Sequence, residues 1–176
     1  MNADEKPVNA AAAVPLPALL SGRFSGPHEF AALIRSALAT AAAQGWREII
    51  LSDRNFEDWP LGEIAVAKSL NDWSRSGRRL TVLAKNYDEV IRRHARFASW
   101  RRTWAHIVEC RGNTHVSGDD FPSALWSPVW VFQRLDLQRC TGISGAEAAR
   151  RVGLKERLDE CLRLSSPAFP GTTLGI

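Results

Sequence analysis

Histidine, cysteine and carboxylate side chains carry much of enzyme chemistry, and this 176-residue chain places few of them in a catalytic or metal-binding pattern. Its four histidines form neither HExxH nor HxH spacing, so no metal and no other cofactor is predicted. The patterns GxGxxG, GxxxxGKS/T and GxSxG are absent. Residues 142–145, GISG, are interpreted as a turn and helix N-cap rather than a phosphate loop.

One acidic cluster surrounds the end of the first predicted strand. It consists of Asp53, Glu57, Asp58 and Glu63. Carboxylates at the carboxyl end of a strand can perform acid–base or metal chemistry in an α/β fold. The alternative is a solvated loop with acidic residues at the start of a helix. A hydrolase with a relocated site near Asp53 is therefore one hypothesis for the function.

Basic residues are concentrated in the middle of the chain. The net charge is +4, whereas residues 75–111 hold ten Lys or Arg and three Asp or Glu, a net of +7 that leaves −3 elsewhere. Arginines interleaved with tryptophans are typical of nucleic-acid or phosphate surfaces. We therefore predict that an anion binds to Arg92, Arg93, Arg96, Arg101, Arg102 and His106. The alternative is a solvated helix face whose arginines pair with acidic neighbours.

Cysteine content and the first residues bear on the compartment. The three cysteines are Cys110, Cys140 and Cys161. They are too few for a disulfide framework and are expected to be reduced core residues of a cytoplasmic protein. Residues 1–24 are interpreted as a flexible arm rather than a secretory signal, because Asp4 and Glu5 stand where a signal is positively charged. No apolar run reaches the roughly 20 residues of a membrane helix.

Helix and strand patterns alternate over residues 25–176, the single predicted domain. Strands are expected at residues 48–53, 79–84, 106–111, 123–126 and 129–133, with the last two antiparallel. Helices are expected from Pro27 to Gly45 and from Pro60 to Gly77. Two further helices are expected to begin with capping boxes, at Asn86 with Glu89 and at Ser144 with Glu147. This order predicts an α/β sandwich around one mixed sheet.

Five segments within residues 28–167 carry a resemblance to a known family. They are EIILSD, WPLGEIAVAKSLNDWSRSGRRLTVLAKNYDEV, FASWRRTWAHIVECR, FPSALWSPVWVFQRLD and LDECLRLSSP. In pattern and order the chain resembles one half of the phospholipase D superfamily, especially bacterial proteins that lack the catalytic residues. The resemblance implies a phospholipase D-like α/β/α sandwich. It also implies a homodimer, because active proteins of this family combine two halves.

The catalytic motif of that family, HxKxxxxD, is missing. Its histidine attacks phosphorus and its lysine holds phosphate oxygens, but residues 119–128, at the corresponding place, contain neither. His94 comes nearest, with Arg96 two positions later, yet Arg101 stands where the motif has Asp. Without the nucleophile there is no covalent phosphoryl step. We therefore predict no catalytic residue and no phosphodiesterase activity, and expect a binding or regulatory module for an anionic ligand or nucleic acid.

Two tryptophans bear on the predicted homodimer. A half-protein has a sheet surface that its twin would cover, and Trp126 and Trp130 are candidates for an apolar patch there. The alternative is that both tryptophans belong to the core.

Overall fold

The computed structural model describes residues 15–16 and 18–171, in which one mixed sheet carries helices on both faces. The helices are α1 (Pro27–Gln44), α2 (Ile64–Trp73), α3 (Asp88–Arg93), α4 (Ala95–Thr103) and α5 (Ala148–Arg163). The strands are β1 (Gly22–Ser25), β2 (Glu48–Asp53), β3 (Arg79–Ala84), β4 (Val108–Gly112), β5 (Ser123–Trp126), β6 (Val131–Asp136), β7 (Thr141–Gly145) and β8 (Ser166–Pro167). The predicted α/β sandwich around one mixed sheet is confirmed.

The sheet order is β1-β7-β6-β5-β2-β3-β4-β8. Strands β2, β3 and β4 are parallel to one another, and every other pair is antiparallel. The parallel trio therefore has two distinct ends. We call the end where β2 finishes at Asp53 the carboxyl edge, and the end where β3 begins at Arg79 the amino edge.

The main core lies between the sheet and helices α1, α2 and α4. Helix α1 buries an apolar stripe at the predicted spacing and ends at Gly45, which has a φ of 69° and donates its N–H to the Ala41 carbonyl. Phe30 of this helix packs edge-on against Trp59 and Phe132, with ring centroids 5.6 and 5.7 Å away. Burying each such side chain contributes about 1.5–3 kcal/mol, so this cluster holds the helix layer on the sheet.

Helix α5 covers the opposite face of the sheet. Its Leu154 and Leu158 pack on a small apolar group that includes Ile50, Trp126 and Val131. Helix α5 therefore closes the second face at the centre of the sheet. Among the described residues, no helix combines the length and hydropathy needed to cross a bilayer.

Both tryptophans considered for a dimer surface are core residues. Trp126 and Trp130 are 8% and 4% exposed. Their indole N–H groups donate to the carbonyls of Arg151 at 2.9 Å and Leu20 at 3.0 Å. The apolar patch expected from these two residues is therefore absent, and the alternative interpretation of them as core is the correct one.

The N-terminal boundary of the domain differs from the predicted one. Residues 22–24, assigned to the arm, belong to β1, which pairs with β7. Residues 1–14 and 17 of that arm lie outside the described residues.

Two predicted capping boxes are wrong. Helix α3 begins after Tyr87 without a side-chain cap, and Glu89 contacts arginines of its own helix instead of capping it. The GISG stretch is not a turn and N-cap but part of β7, so α5 begins only after Glu147. Ser144 is buried there and donates its hydroxyl to the Leu20 carbonyl at 2.7 Å, a long-range bond that competes with local capping.

Candidate anion-binding groove

The six residues predicted to bind an anion lie in separate places. Arg92 and Arg93 both contact Glu89, and Arg93 also lies 3.1 Å from Glu57. Arg96 donates to the Gly62 carbonyl at 3.0 Å. Arg92 and Arg93 of α3 thus form the exposed, paired helix face that the alternative interpretation described, whereas Arg96 of α4 contacts a backbone carbonyl.

Arg101 and His106 line a groove of about 870 Å³ at the amino edge. Three segments form its walls: the turn before β3, the end of α4 with its connection into β4, and residues 167–170 after α5. Arg102, the residue that follows Arg101 in α4, is exposed and has no ion pair within the described part of the chain. The predicted surface is thus divided between the helix face and this groove.

Helical spacing places Arg101 on the inner side of α4. Phe97, Trp100 and Arg101 are the buried residues of this helix, at positions i, i+3 and i+4. Trp100 is fixed by an indole hydrogen bond of 2.9 Å to the Ser74 hydroxyl. Arg101 is consequently only 7% exposed, although it is one of the residues that line the groove.

The guanidinium of Arg101 is incompletely satisfied. Its Nε donates to Cys110 Sγ at 3.1 Å, a weak acceptor. Its buried Nη1 has no hydrogen-bond acceptor, and no carboxylate forms an ion pair with it, among residues 15–16 and 18–171. A buried cation without a counter-charge is destabilising, because it loses hydration without gaining a partner. A bound anion would supply the hydrogen-bond acceptor and the negative charge that Arg101 does not find in the described chain.

Two further arginines give the groove a positive charge. Arg78 donates Nη1 to the Gly45 carbonyl at 2.5 Å, and its buried Nε has no acceptor in the described chain. Arg79 lies beside it at the start of β3. The groove contains one carboxylate, Glu109, which lies 3.5 Å from Arg111. Three guanidinium groups against one carboxylate favour an anion, and arginine matches phosphate oxygens bidentately.

Two buried acidic side chains close to Arg101, Cys110 and Tyr87, are not activated as nucleophiles. Burial raises the pKa of the Cys110 thiol, and the neighbouring Arg101 only partly offsets this effect. Burial likewise raises the pKa of Tyr87, whose hydroxyl lies 2.8 Å from the carbonyl oxygens of both Val82 and Arg111. Because burial raises both pKa values, neither the Cys110 thiol nor the Tyr87 phenol is activated as a nucleophile near neutral pH.

At the carboxyl edge a smaller cavity of about 270 Å³ is lined by Asp53, Glu57 and Asp58 of the acidic cluster, whereas Glu63 pairs with Arg35. Asp53 is 1% exposed, and its Oδ1 accepts the backbone N–H groups of Asn55 and Phe56 at 3.1 and 2.9 Å. Its Oδ2 accepts the Ser123 hydroxyl at 2.6 Å and Arg134 Nη2 at 2.8 Å. Four donors occupy both oxygens, so Asp53 has no lone pair available as a general base.

Arg134 completes this carboxyl-edge network. It contacts Asp58 through both Nη atoms, and its Nε donates to Ser123 at 3.0 Å. Cys140 Sγ accepts a further N–H at 3.4 Å, so all five guanidinium hydrogens have partners. Burial lowers the pKa of Arg134, but the hydrogen bond to Asp58 and the charge of Asp53 outweigh it and raise the pKa overall. The network therefore anchors the loop that follows β2.

Sequence patterns did not identify Arg78, Arg79 or Arg134 as members of these sites. The available signal for the first two was a pair of arginines directly before a buried strand. The signal for Arg134 was a charge inside an otherwise apolar strand, which needs a buried partner. Within the described ranges, no three His, Cys, Asp or Glu side chains come together as metal ligands.

A search against protein families finds no match for this chain, and a search of curated proteins finds none either. Among solved structures, the chain is similar to TrmBL2, an archaeal chromatin protein whose structure is described as showing a novel mode of DNA binding. The TM-score is 0.60 at 16% identity, over 90% of this chain. The match spans only 57% of the TrmBL2 chain. At this identity the likeness concerns the fold alone.

Proposed function

We propose that the chain is a non-catalytic binding module whose amino-edge groove takes a phosphate-bearing ligand. The observation that carries the proposal is the buried Arg101, whose Nη1 has no acceptor and whose charge has no carboxylate partner in the described chain. Arg78 and Arg79 add positive charge around it. We also propose that the scaffold is phospholipase D-like and acts in the cytoplasm, where its three unpaired cysteines stay reduced.

DNA binding is the second candidate function. The fold likeness to TrmBL2 supports it, as does the exposed Arg102, which follows Arg101 in α4. Both candidates use the same chemistry, an arginine fork on phosphate oxygens, but differ in the size of the ligand. A short phosphate ligand needs only the groove, whereas a DNA strand would also need the exposed arginines outside it.

Titration calorimetry with inorganic pyrophosphate and with a duplex oligonucleotide distinguishes these candidates. Replacing Arg101 by Met keeps the buried alkyl stem and removes the charge, and Arg102→Met is the matched control for net charge. We expect Arg101→Met to weaken pyrophosphate binding at least about tenfold, with Arg102→Met close to the parent. If DNA is the ligand, both variants weaken oligonucleotide binding and the affinity falls steeply with salt. A folded Arg101→Met protein that binds both probes as the parent does would contradict the proposal.

The absence of phosphodiesterase activity is part of the proposal. It rests on the missing HxKxxxxD motif and on the raised pKa values of the Cys110 thiol and the Tyr87 phenol. An assay with bis-p-nitrophenyl phosphate and with phospholipid should show no turnover above buffer. Turnover that disappears in His94→Ala or His106→Ala would show that the protein is an enzyme.

The homodimer is proposed from the resemblance alone. Light scattering at several micromolar concentrations measures it directly. A mass near 19.5 kDa at every concentration would exclude the dimer.

A further inference from the structure

Residues 166–171 pass along the exposed side of β4 and form one wall of the groove. We call this segment the C-terminal strap. Its attachment to the sheet is short: two residue pairs join β8 to β4, and the Ala168 N–H donates to the Cys110 carbonyl at 3.0 Å. Pro167 and Pro170 have no N–H to donate, which leaves the strap weakly bound to the strand beside it.

The strap lies over the guanidinium of Arg101. A Cβ placed on Gly171 would come 2.8 Å from Arg101 Nη1 and 3.0 Å from the Ala105 Cβ. This close approach explains why Nη1 is buried although no acceptor contacts it. In the position described, the strap and an anion would compete for the same atom.

One residue of the strap is held in a strained backbone conformation. Phe169 has a φ of 43°, in the left-handed region that a bulky side chain rarely adopts. Its ring stacks on Tyr87 with centroids 5.1 Å apart and an angle of 9° between the planes. Tyr87 is itself buried against the sheet. The stack therefore acts as the anchor that keeps the strained segment in place.

We propose that the C-terminal strap is a gate: anchored by Phe169 on Tyr87, it covers Arg101 and must move aside before an anion can bind. The inference rests on the proposed function, because it concerns the regulation of the same groove. A short ladder, a strained residue and a covered guanidinium are the features expected of a segment with a low-cost open state. Weakening the anchor should therefore shift the population toward the open groove.

Chemical modification of Arg101 tests the gate without any ligand. Phenylglyoxal reacts with accessible arginines, and peptide mass spectrometry compares Arg101 with the exposed Arg102 in the same protein. We expect Phe169→Ala, which removes the stack, to raise the rate at Arg101 at least about tenfold while the rate at Arg102 stays constant. An unchanged rate at Arg101 in the folded Phe169→Ala protein would overturn the gate.

Pyrophosphate titration of the parent and of Phe169→Ala then separates the gate from the groove. If the strap competes with the anion, Phe169→Ala binds pyrophosphate about tenfold more tightly, because the opening step no longer reduces the affinity. A higher modification rate without tighter binding would overturn the gate and leave the binding site intact. A parent that binds no pyrophosphate would contradict the proposed function, while the modification rates still decide whether the strap opens.

Discussion

Each of the two edges of the parallel strands contains a buried arginine, and the two arginines differ in their ion-pair partners. Arg134 at the carboxyl edge is 6% exposed and Arg101 at the amino edge is 7% exposed. Each donates an N–H to a cysteine sulfur. Arg134 also meets the carboxylates of Asp53 and Asp58, whereas Arg101 has no carboxylate partner among the described residues. Burial is thus common to both arginines, and the missing counter-charge is what distinguishes Arg101 from Arg134.

The largest difference between the edges should appear in stability. Arg134→Met leaves Asp53 buried without its cation, which should cost about 3–5 kcal/mol in the free energy of unfolding. Arg101→Met removes a charge that has no partner, so it should change the same free energy by no more than about 1 kcal/mol or raise it. Urea unfolding of both variants measures the two effects. Equal destabilisation would mean that Arg101 is also a structural arginine.

A smaller loss is expected when the carboxyl-edge network is altered at its hydroxyl. Ser123 donates to Asp53 and accepts from Arg134 in the buried interior, so Ser123→Ala should destabilise the protein by about 1–3 kcal/mol. Ser76→Ala is a matched control, because that serine lines the groove and is exposed. The melting temperature of Ser123→Ala should be well below that of the control. Equal melting temperatures for Ser123→Ala and Ser76→Ala would show that the Ser123 hydroxyl does not stabilise the carboxyl-edge network.

Sequence patterns predicted the elements whose signals are local. The stripe and the caps of α1 and the bounds of β2 and β3 agree with the structure because periodicity, Pro27 and Gly45 set them within a few residues. Strands β1, β7 and β8 escaped prediction because they are short and contain glycine or proline, and because β1 and β8 pair only with strands far away in the chain. The pairing of β1 with β7 depends on the tertiary structure and not on a local sequence signal.

The candidate site was predictable only in part for the same reason. The basic window contained Arg101, Arg78 and Arg79, but charge alone could not separate paired from unpaired arginines. Helix α3 supplies Glu89 as a local partner for two of them. Whether Arg101 has a partner depends on α4, β4 and the strap meeting in space, which no sequence spacing encodes.

The stability of the protein should fall at alkaline pH because of the buried Cys110 thiol in the groove. The folded pKa of Cys110 is raised by burial, so the folded protein keeps a proton that the unfolded thiol releases at pH about 8.5. The stability is therefore complete below that pH and falls as the pH rises above it. Arg101 lowers this pKa, so Arg101→Met should extend the fall to higher pH. Urea midpoints measured from neutral to alkaline pH test this, and a midpoint independent of pH would contradict the assignment.

The smallest effect is expected from a conservative change at the amino edge. Arg101→Lys keeps the positive charge but loses the planar fork that contacts two oxygens at once. Pyrophosphate should then bind about three- to tenfold more weakly than to the parent, and more tightly than to Arg101→Met. Calorimetry measures the affinity of all three proteins for pyrophosphate. If Lys and Met weaken binding equally, the fork rather than the charge accounts for the affinity.

The most direct test of the central claim is the melting temperature with and without pyrophosphate, in the parent and in Arg101→Met. A ligand present at a hundred times its dissociation constant stabilises the folded state by about 2.7 kcal/mol, which corresponds to a rise of roughly 5–10 °C for a chain of this size. We expect that rise in the parent and at most about half of it in Arg101→Met, because binding that is tenfold weaker stabilises the folded state by only about 1.4 kcal/mol at the same concentration. An equal rise in both proteins would show that pyrophosphate binds elsewhere and would contradict the assignment of the groove.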